Sequence, residues 1–204
     1  APSATAASGG SAIKYMPKDC DEIRVFADVS KVFGADTHAA LESLIGKGVA
    51  EGTDPKKGEE VLKVLKDGGI EPSKALKQFA VCGNKDDAKT VVAAILDMGK
   101  AEKPADVLAK AIETGTGVAP KREELDGVPI MQSKDGKPWI AVVGKDALVV
   151  SENKDTLKAV LKGGDGASEF AAASGLVVWA KDAKGDVDVK VKEAGDDLDV
   201  AVRA

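Results

Sequence analysis

Near its C-terminus the chain reads DVDVKVKEAGDDLDVAVR, from Asp186 to Arg203. Val187, Val189, Val191, Leu198, Val200 and Val202 fall on alternate positions, most of them separated by charged residues. A period of two is the pattern of strands with one buried face. With a four-residue loop, Glu193 to Asp196, the two runs form an antiparallel hairpin. Lys192 then faces Asp197, Lys190 faces Asp199 and Asp186 faces Arg203. On the other side Val191 meets Leu198, Val189 meets Val200 and Val187 meets Val202. One face is apolar and the other is a ladder of opposite charges, each pair contributing ~0.2–1 kcal/mol. A one-residue slip would turn the valines into water, so the register is well specified.

The same patterning runs through the rest of the chain. Glu22 to Val29 alternates as a strand, with Ile23, Val25 and Ala27 on one face. A helix starting near Asp36 places Leu41, Leu44, Ile45 and Val49 on one stripe. A second opens at Asp54-Pro55, buries Val61, Leu62, Val64 and Leu65, and stops at Gly68-Gly69. Lys77 to Gly83 and Thr90 to Met98 are strands joined by the polar turn Asn84 to Asp87. Pro104 opens a helix carrying Val107, Leu108, Ala111 and Ile112, followed by a surface connection, Gly115 to Pro120. Strands follow at Gly127 to Gln132, Lys137 to Val143 and Asp146 to Ser151. Lys134-Asp135-Gly136 joins the first two, and a two-residue loop, Gly144-Lys145, joins the others. Asn153 caps a helix with Leu157, Val160 and Leu161 inward. A short helical piece at Ser168 to Ala173 precedes a strongly buried strand, Gly175 to Ala180.

Meandering strands with helices between them give an α+β fold, an antiparallel-rich sheet with helices packed on one face. Residues 1–14 read as a flexible N-terminal segment and 15–204 as one domain. Its halves, 15–120 and 121–204, each show strands flanking a helix, consistent with a degenerate internal duplication.

Composition narrows the functions open to such a fold. The 204 residues are 44% hydrophobic but only 3% aromatic, so the core is built from Val, Leu, Ile and Ala. The net charge is −5, and Arg24, Arg122 and Arg203 are the only arginines. Nucleic-acid readers depend on arginine forks and basic patches, which argues against DNA or RNA as partners. No apolar run approaches the ~20 residues of a membrane helix. The start, APSATAASGGSA, is small and uncharged, like the segment behind a cleaved export signal or a lipid-anchored cysteine. Cys20 precedes one predicted strand and Cys82 lies in another. Were those strands neighbours, a disulfide would be sterically easy, and closing a loop of about 60 residues would add roughly 4 kcal/mol. Two separate buried thiols are the alternative. Neither cysteine has CxxC spacing, which leaves redox catalysis and zinc with little support.

The runs YMPKDCDEIRVFADVSKVF (Tyr15 to Phe33), DGVPI (Asp126 to Ile130) and WIAVVGKDALVVSE (Trp139 to Glu152), followed by a short capped helix, carry a likeness of their own. This combination resembles a group of exported proteins and predicted lipoproteins of bacteria, myxobacterial-type ones among them. The resemblance implies an envelope location and an α+β fold. Its motifs are structural and carry no catalytic residue.

His38 is the only histidine, so every His-assisted nucleophile would depend on it. His38 and Glu42 have the i, i+4 spacing of metal ligands on a helix, a pair more simply read as solvated helix residues. Asp182, Asp186, Asp188, Asp196, Asp197 and Asp199 are dense enough to suggest calcium. Their spacing does not match a calcium loop, and the hairpin gives several of them basic partners. Gly163-Gly164-Asp165-Gly166 and Gly115-Thr116-Gly117 match no phosphate-binding fingerprint and read as helix stops. Trp139 and Trp179 read as core. Glu123-Glu124 and Asp86-Asp87 are paired acids whose geometry spacing alone does not define.

With no catalytic residue, metal or cofactor to assign, the sequence points to a non-catalytic structural or binding protein of the cell envelope or extracellular space. A lipid anchor fits its native form. An edge strand near either terminus would recruit a protein partner or a second copy. Two alternatives are a carrier of an apolar ligand, held between helices and sheet, and a carboxylate- or metal-dependent hydrolase.

Overall fold

Strand β1 (Ile23–Asp28) follows from its alternation, and the sheet grows outward from it. The computed structural model describes residues 11–29, 55–132, 136, 138–164, 176–182, 185–194 and 197–203. On one side of β1 lie β2 (Leu76–Gly83) and β3 (Val91–Leu96), and beyond them β7 (Ala147–Ser151), β6 (Trp139–Val143), β5 (Val128–Gln132) and β4 (Lys121–Leu125). On the other side lie β8 (Leu176–Asp182), β9 (Gly185–Ala194) and β10 (Asp197–Arg203). The result is one ten-stranded sheet, antiparallel at each pairing. Strands from residues 121–204 flank those from 15–120 on both sides, so the two halves share one sheet.

Alternation sends side chains to two cores. One face carries Val91, Ala93, Ile130, Ala141 and Val149. Over it lie α4 (Lys154–Leu161), through Leu157 and Val160, and a 3-10 turn (Ala12–Tyr15), which continues into the buried Met16. The other face carries Met131, Val142 and Leu148 under α3 (Pro104–Thr116), with Leu65 of α1 (Pro55–Asp67) and Ala75 of the short α2 (Pro72–Ala75) in the same core. The α+β fold with an antiparallel sheet is therefore observed, and its layering is fuller than the sequence pattern indicated. The long helices cover one face, and a shorter helix and the N-terminal turn cover the other.

The N-terminal turn is locked from two directions. Ala12 N–H donates to Gln78 Oε1 (3.3 Å), and Gly164 N–H donates to Lys14 O (2.9 Å). A Cβ at Gly164 would lie 2.1 Å from Met16 O, so only glycine admits this approach. Among the described residues Ala12, Tyr15 and Met16 are buried by these contacts.

Several local expectations are corrected. β4 is a strand that the sequence pattern does not indicate. It forms because Asp126 (φ 51°) and Gly127 (φ 83°) close a two-residue turn that pairs Leu125 with Val128. Positive φ at both central residues is the primed geometry that suits strand twist. The β6–β7 loop holds three residues, Gly144 to Asp146, because Val143 pairs with Ala147. Leu96 N–H then donates to Asp146 O (2.6 Å), which extends the β3–β7 contact. Residues Leu176 to Ala180 are half-buried, not strongly buried, in a strand two places from the sheet edge. In the last hairpin Asp199 faces Lys192, Val200 faces Val191, Val202 faces Val189 and Arg203 faces Asp188. This register differs by two residues from the expected one. An even slip keeps every residue on its face, so alternation could not separate the two registers. The helix expected near Asp36, the turn at Lys134-Asp135 and the piece at Ser168 to Ala173 lie outside the described residues.

Candidate binding surface

The two edges of the sheet differ in chemistry. β4 reads KREEL, charged at four of its five positions. Its charges tie it to helices on both faces. Arg122 pairs with Asp106 of α3, and Glu123 is held by Lys121 (2.7 Å) and by Lys154 of α4. The Lys121 ammonium, then that of Lys154, hydrogen-bonds the Glu123 carboxylate and holds its pKa below the usual carboxylate value. Arg122 does the same for Asp106. Exposed pairs of this kind add little to stability, but a charged edge resists addition of a foreign strand. The opposite edge, β10, reads DLDVAVR and, among the described residues, has β9 as its neighbour on one side only.

A row of directly opposed residues crosses the whole sheet from that open edge. It runs Val202, Val189, Val178, Val25, Val81, Val92, Val150, Ile140 and Met131, and ends at Arg122 on β4. Near its middle Val92 retains 36% of its surface and the neighbouring Ile23 retains 41%. Gly83 stands opposite Ile23 and offers no side chain to cover it. Contiguous exposed apolar surface of this kind marks interaction sites more often than single exposed residues do.

On the reverse face the first strand pair is fastened. Cys20 and Cys82 form a disulfide with Cα atoms 5.3 Å apart, next to the β1–β2 pairing. Asn84, buried beside it, donates from Nδ2 to Lys89 O (3.1 Å) and accepts at Oδ1 from Asp21 N–H (3.1 Å). One side chain thereby joins the segment before β1 to the turn after β2. Arg24 donates to Cys20 O (2.8 Å), and its guanidinium lies 4.3 Å from the Trp179 ring centroid. Lys154 lies 4.8 Å from that of Trp139. Both indoles are half-buried with a cation over the ring, and Trp139 also packs against the core, as expected of it.

The other candidates resolve as structure where they are described. Asp86 caps the 3-10 turn Asp87–Lys89 by accepting from Ala88 N–H (3.1 Å). Glu124 faces Pro129. Gly117 ends α3 in the left-handed region, and Gly115 faces Val61 of α1. Asp186 faces Lys181, Asp188 faces Trp179 and Arg203, and Asp182 faces Gly185. The acids are thus spread across three strands. His38, Glu42 and Asp196 lie outside the described residues. Among the described residues no group of three or more His, Cys, Asp or Glu could hold a metal ion. No described helix is long and apolar enough to cross a membrane. Two surface depressions, of about 350 Å³ beside Lys66, Glu71, Lys74 and Asp97 and about 260 Å³ beside Asp106 and Arg122, have charged side chains in their walls. An apolar ligand calls for a different lining.

Sequence reasoning missed β4 and the apolar row. The Asp126-Gly127 dipeptide was the available signal for the first. The second had none, since its members come from nine strands. No protein-family model matches the chain, and no curated protein matches it. Solved structures do. Crystal form III of TP0453 aligns with a TM-score of 0.57 at 7% identity, covering 96% of this chain and 80% of that one. Crystal form IV of TP0453 aligns with a TM-score of 0.55 at 9% identity, covering 94% and 79%. At such identity the likeness is one of fold, and it extends over nearly the whole chain.

Proposed function

We propose that this protein is a non-catalytic structural or binding module of the cell envelope or extracellular space, which recruits a protein partner or a second copy through β10. The observation that carries this reading is the contrast between the two sheet edges. β4 is charged and clamped to two helices, whereas β10 has four apolar residues in seven and, among the described residues, one neighbour. An edge of the second kind binds an added strand through main-chain hydrogen bonds. The Cys20–Cys82 disulfide supports an oxidising compartment, and the likeness to predicted bacterial lipoproteins supports an anchor in the native form. Fractionation of cells producing the natural protein, with thiols alkylated before lysis, tests the location. Recovery in the envelope or medium with both cysteines oxidised is expected. Recovery in the cytosol with both alkylated would end the export reading.

A second reading, carriage of an apolar ligand, rests on the exposed part of the valine row. Titration with a fluorescent fatty acid tests it. Saturable binding that Val92→Lys weakens about tenfold or more would favour carriage, since a desolvated charge costs several kcal/mol. Binding unchanged by Val92→Lys would place the ligand elsewhere and remove this support.

A further inference from the structure

Resting on the β10 reading above, we propose that the occupant of the edge is a second copy of this chain, with its β10 laid antiparallel in a register centred on Val200. β10 is seven residues, DLDVAVR. Laid against itself about Val200, it places Asp197 opposite the partner's Arg203 at each end. Leu198 falls opposite the partner's Val202, and Asp199 opposite the partner's Ala201. Opposite charges therefore meet at both ends, Leu198, Val200 and Val202 meet apolar partners between them, Asp199 meets an alanine, and no like charges stand directly opposite. A register centred on Asp199 would set that aspartate against itself. One centred on Ala201 would pair only five of the seven positions within the strand. The twofold makes this contact self-complementary, as a closed dimer requires.

The chain's own pairing fits this arrangement. Asp197 stands opposite Ala194 on β9, and Arg203 opposite Asp188. In the dimer Arg203 is flanked by Asp188 and by the partner's Asp197. Val200 stands opposite Val191, so Val191, Val200 and their two copies form one unbroken row across the join. β4 offers no equivalent. Paired with itself about its centre, it would put Glu123 against Glu123, and its Arg122 and Glu123 already hold α3 and α4.

Light scattering over about 1 µM to 1 mM, spanning the affinities expected of a short strand pairing, tests the proposal. The wild type is expected to pass from monomer to dimer. Asp197→Arg and Arg203→Asp each replace two attractive pairs per dimer with repulsive ones, weakening association about tenfold or more. An equimolar mixture of the two variants restores both charge matches across the join, while the Arg203–Asp188 match within the hairpin stays lost in the Arg203→Asp copy, and it is expected to dimerise at least about tenfold more tightly than either variant alone. Thermal melts of each variant alone show that the hairpin is retained. Val200→Cys is expected to give a covalent dimer on oxidation. Failure of the mixture to recover, or no cross-linking through position 200, overturns this register. A wild type monomeric to the highest concentration overturns self-pairing altogether. In that case a capped DLDVAVR peptide separates the two readings. Amide shifts confined to β10 on adding it would leave the edge as a binding site for a different strand, and no shift would remove the edge as a binding site as well.

Discussion

Reducing the Cys20–Cys82 disulfide lowers the unfolding free energy by about 4 kcal/mol, the chain-entropy value for a loop of this size. The bond joins residues 62 apart. The intervening segment includes α1 and the first part of β2, and β1 itself lies inside the loop. Opening the bond lets the unfolded chain expand, while the folded pair stays in place. β1 and β2 keep their pairing from Ile23–Gly83 to Asp28–Gln78, and Asn84 still bonds the Asp21 and Lys89 backbone. The folded state is therefore expected to survive reduction with the same sheet but a smaller margin. Urea titrations with and without reductant measure the shift, and replacing both cysteines by Ala should reproduce it. A difference below about 1 kcal/mol would show that the unfolded chain is already held compact there.

Leu157→Ala is expected to cost about 3 kcal/mol, within the ~2–5 kcal/mol typical of buried Leu→Ala changes. Leu157 is completely buried, at 0% exposure, on the inner side of α4. The core it joins contains Tyr15 and Met16 as well as Val91 and Val149 of the sheet. Three layers thus meet at this side chain, namely helix, strand and N-terminal turn. Neighbours pinned on several sides collapse poorly into a void, which favours the upper part of the range. The matched control is Leu62→Ala on the surface-lying α1, where the side chain is half-buried and the cost is expected to be about half as large. Equal losses at the two positions in chemical denaturation would contradict the packing described for α4.

How far these features were legible varies with their physical origin. α3 was readable because a helix tolerates a proline such as Pro104 only in its first turn, and Val107, Leu108, Ala111 and Ile112 repeat at helical spacing after it. Asn153 was readable for a similar reason. Its side chain accepts from Asp155 N–H (2.8 Å) and Thr156 N–H (3.1 Å), a task few residue types perform. β4 was not readable from hydrophobicity. Lys121 to Glu124 is held as a strand by β5 beside it and by helices on either face, and neither influence is local. Trp139 packs against the core as its place in a strand suggests, but nothing in the local sequence reveals that Lys154 will lie over it or Arg24 over Trp179.

The last hairpin shows where the division falls. By itself the sequence determined which residues of each strand share a face, because side-chain alternation follows from backbone geometry within a few residues. It also settled the antiparallel α+β class, since turns and caps are local as well. Which residues face one another, which strands adjoin and which edge stays open were decided only in the tertiary structure. Val200 meets Val191 instead of Val189, and both partners are the same residue, so side-chain chemistry gives little preference between them. The order of strands is non-local too. α4 leads from β7 to β8 on the far side of β1, which leaves β10 at one edge and the charged β4 at the other. A repeating valine pattern selects a face and accepts many neighbours, and the turns, the disulfide and the packing of the helices select among them.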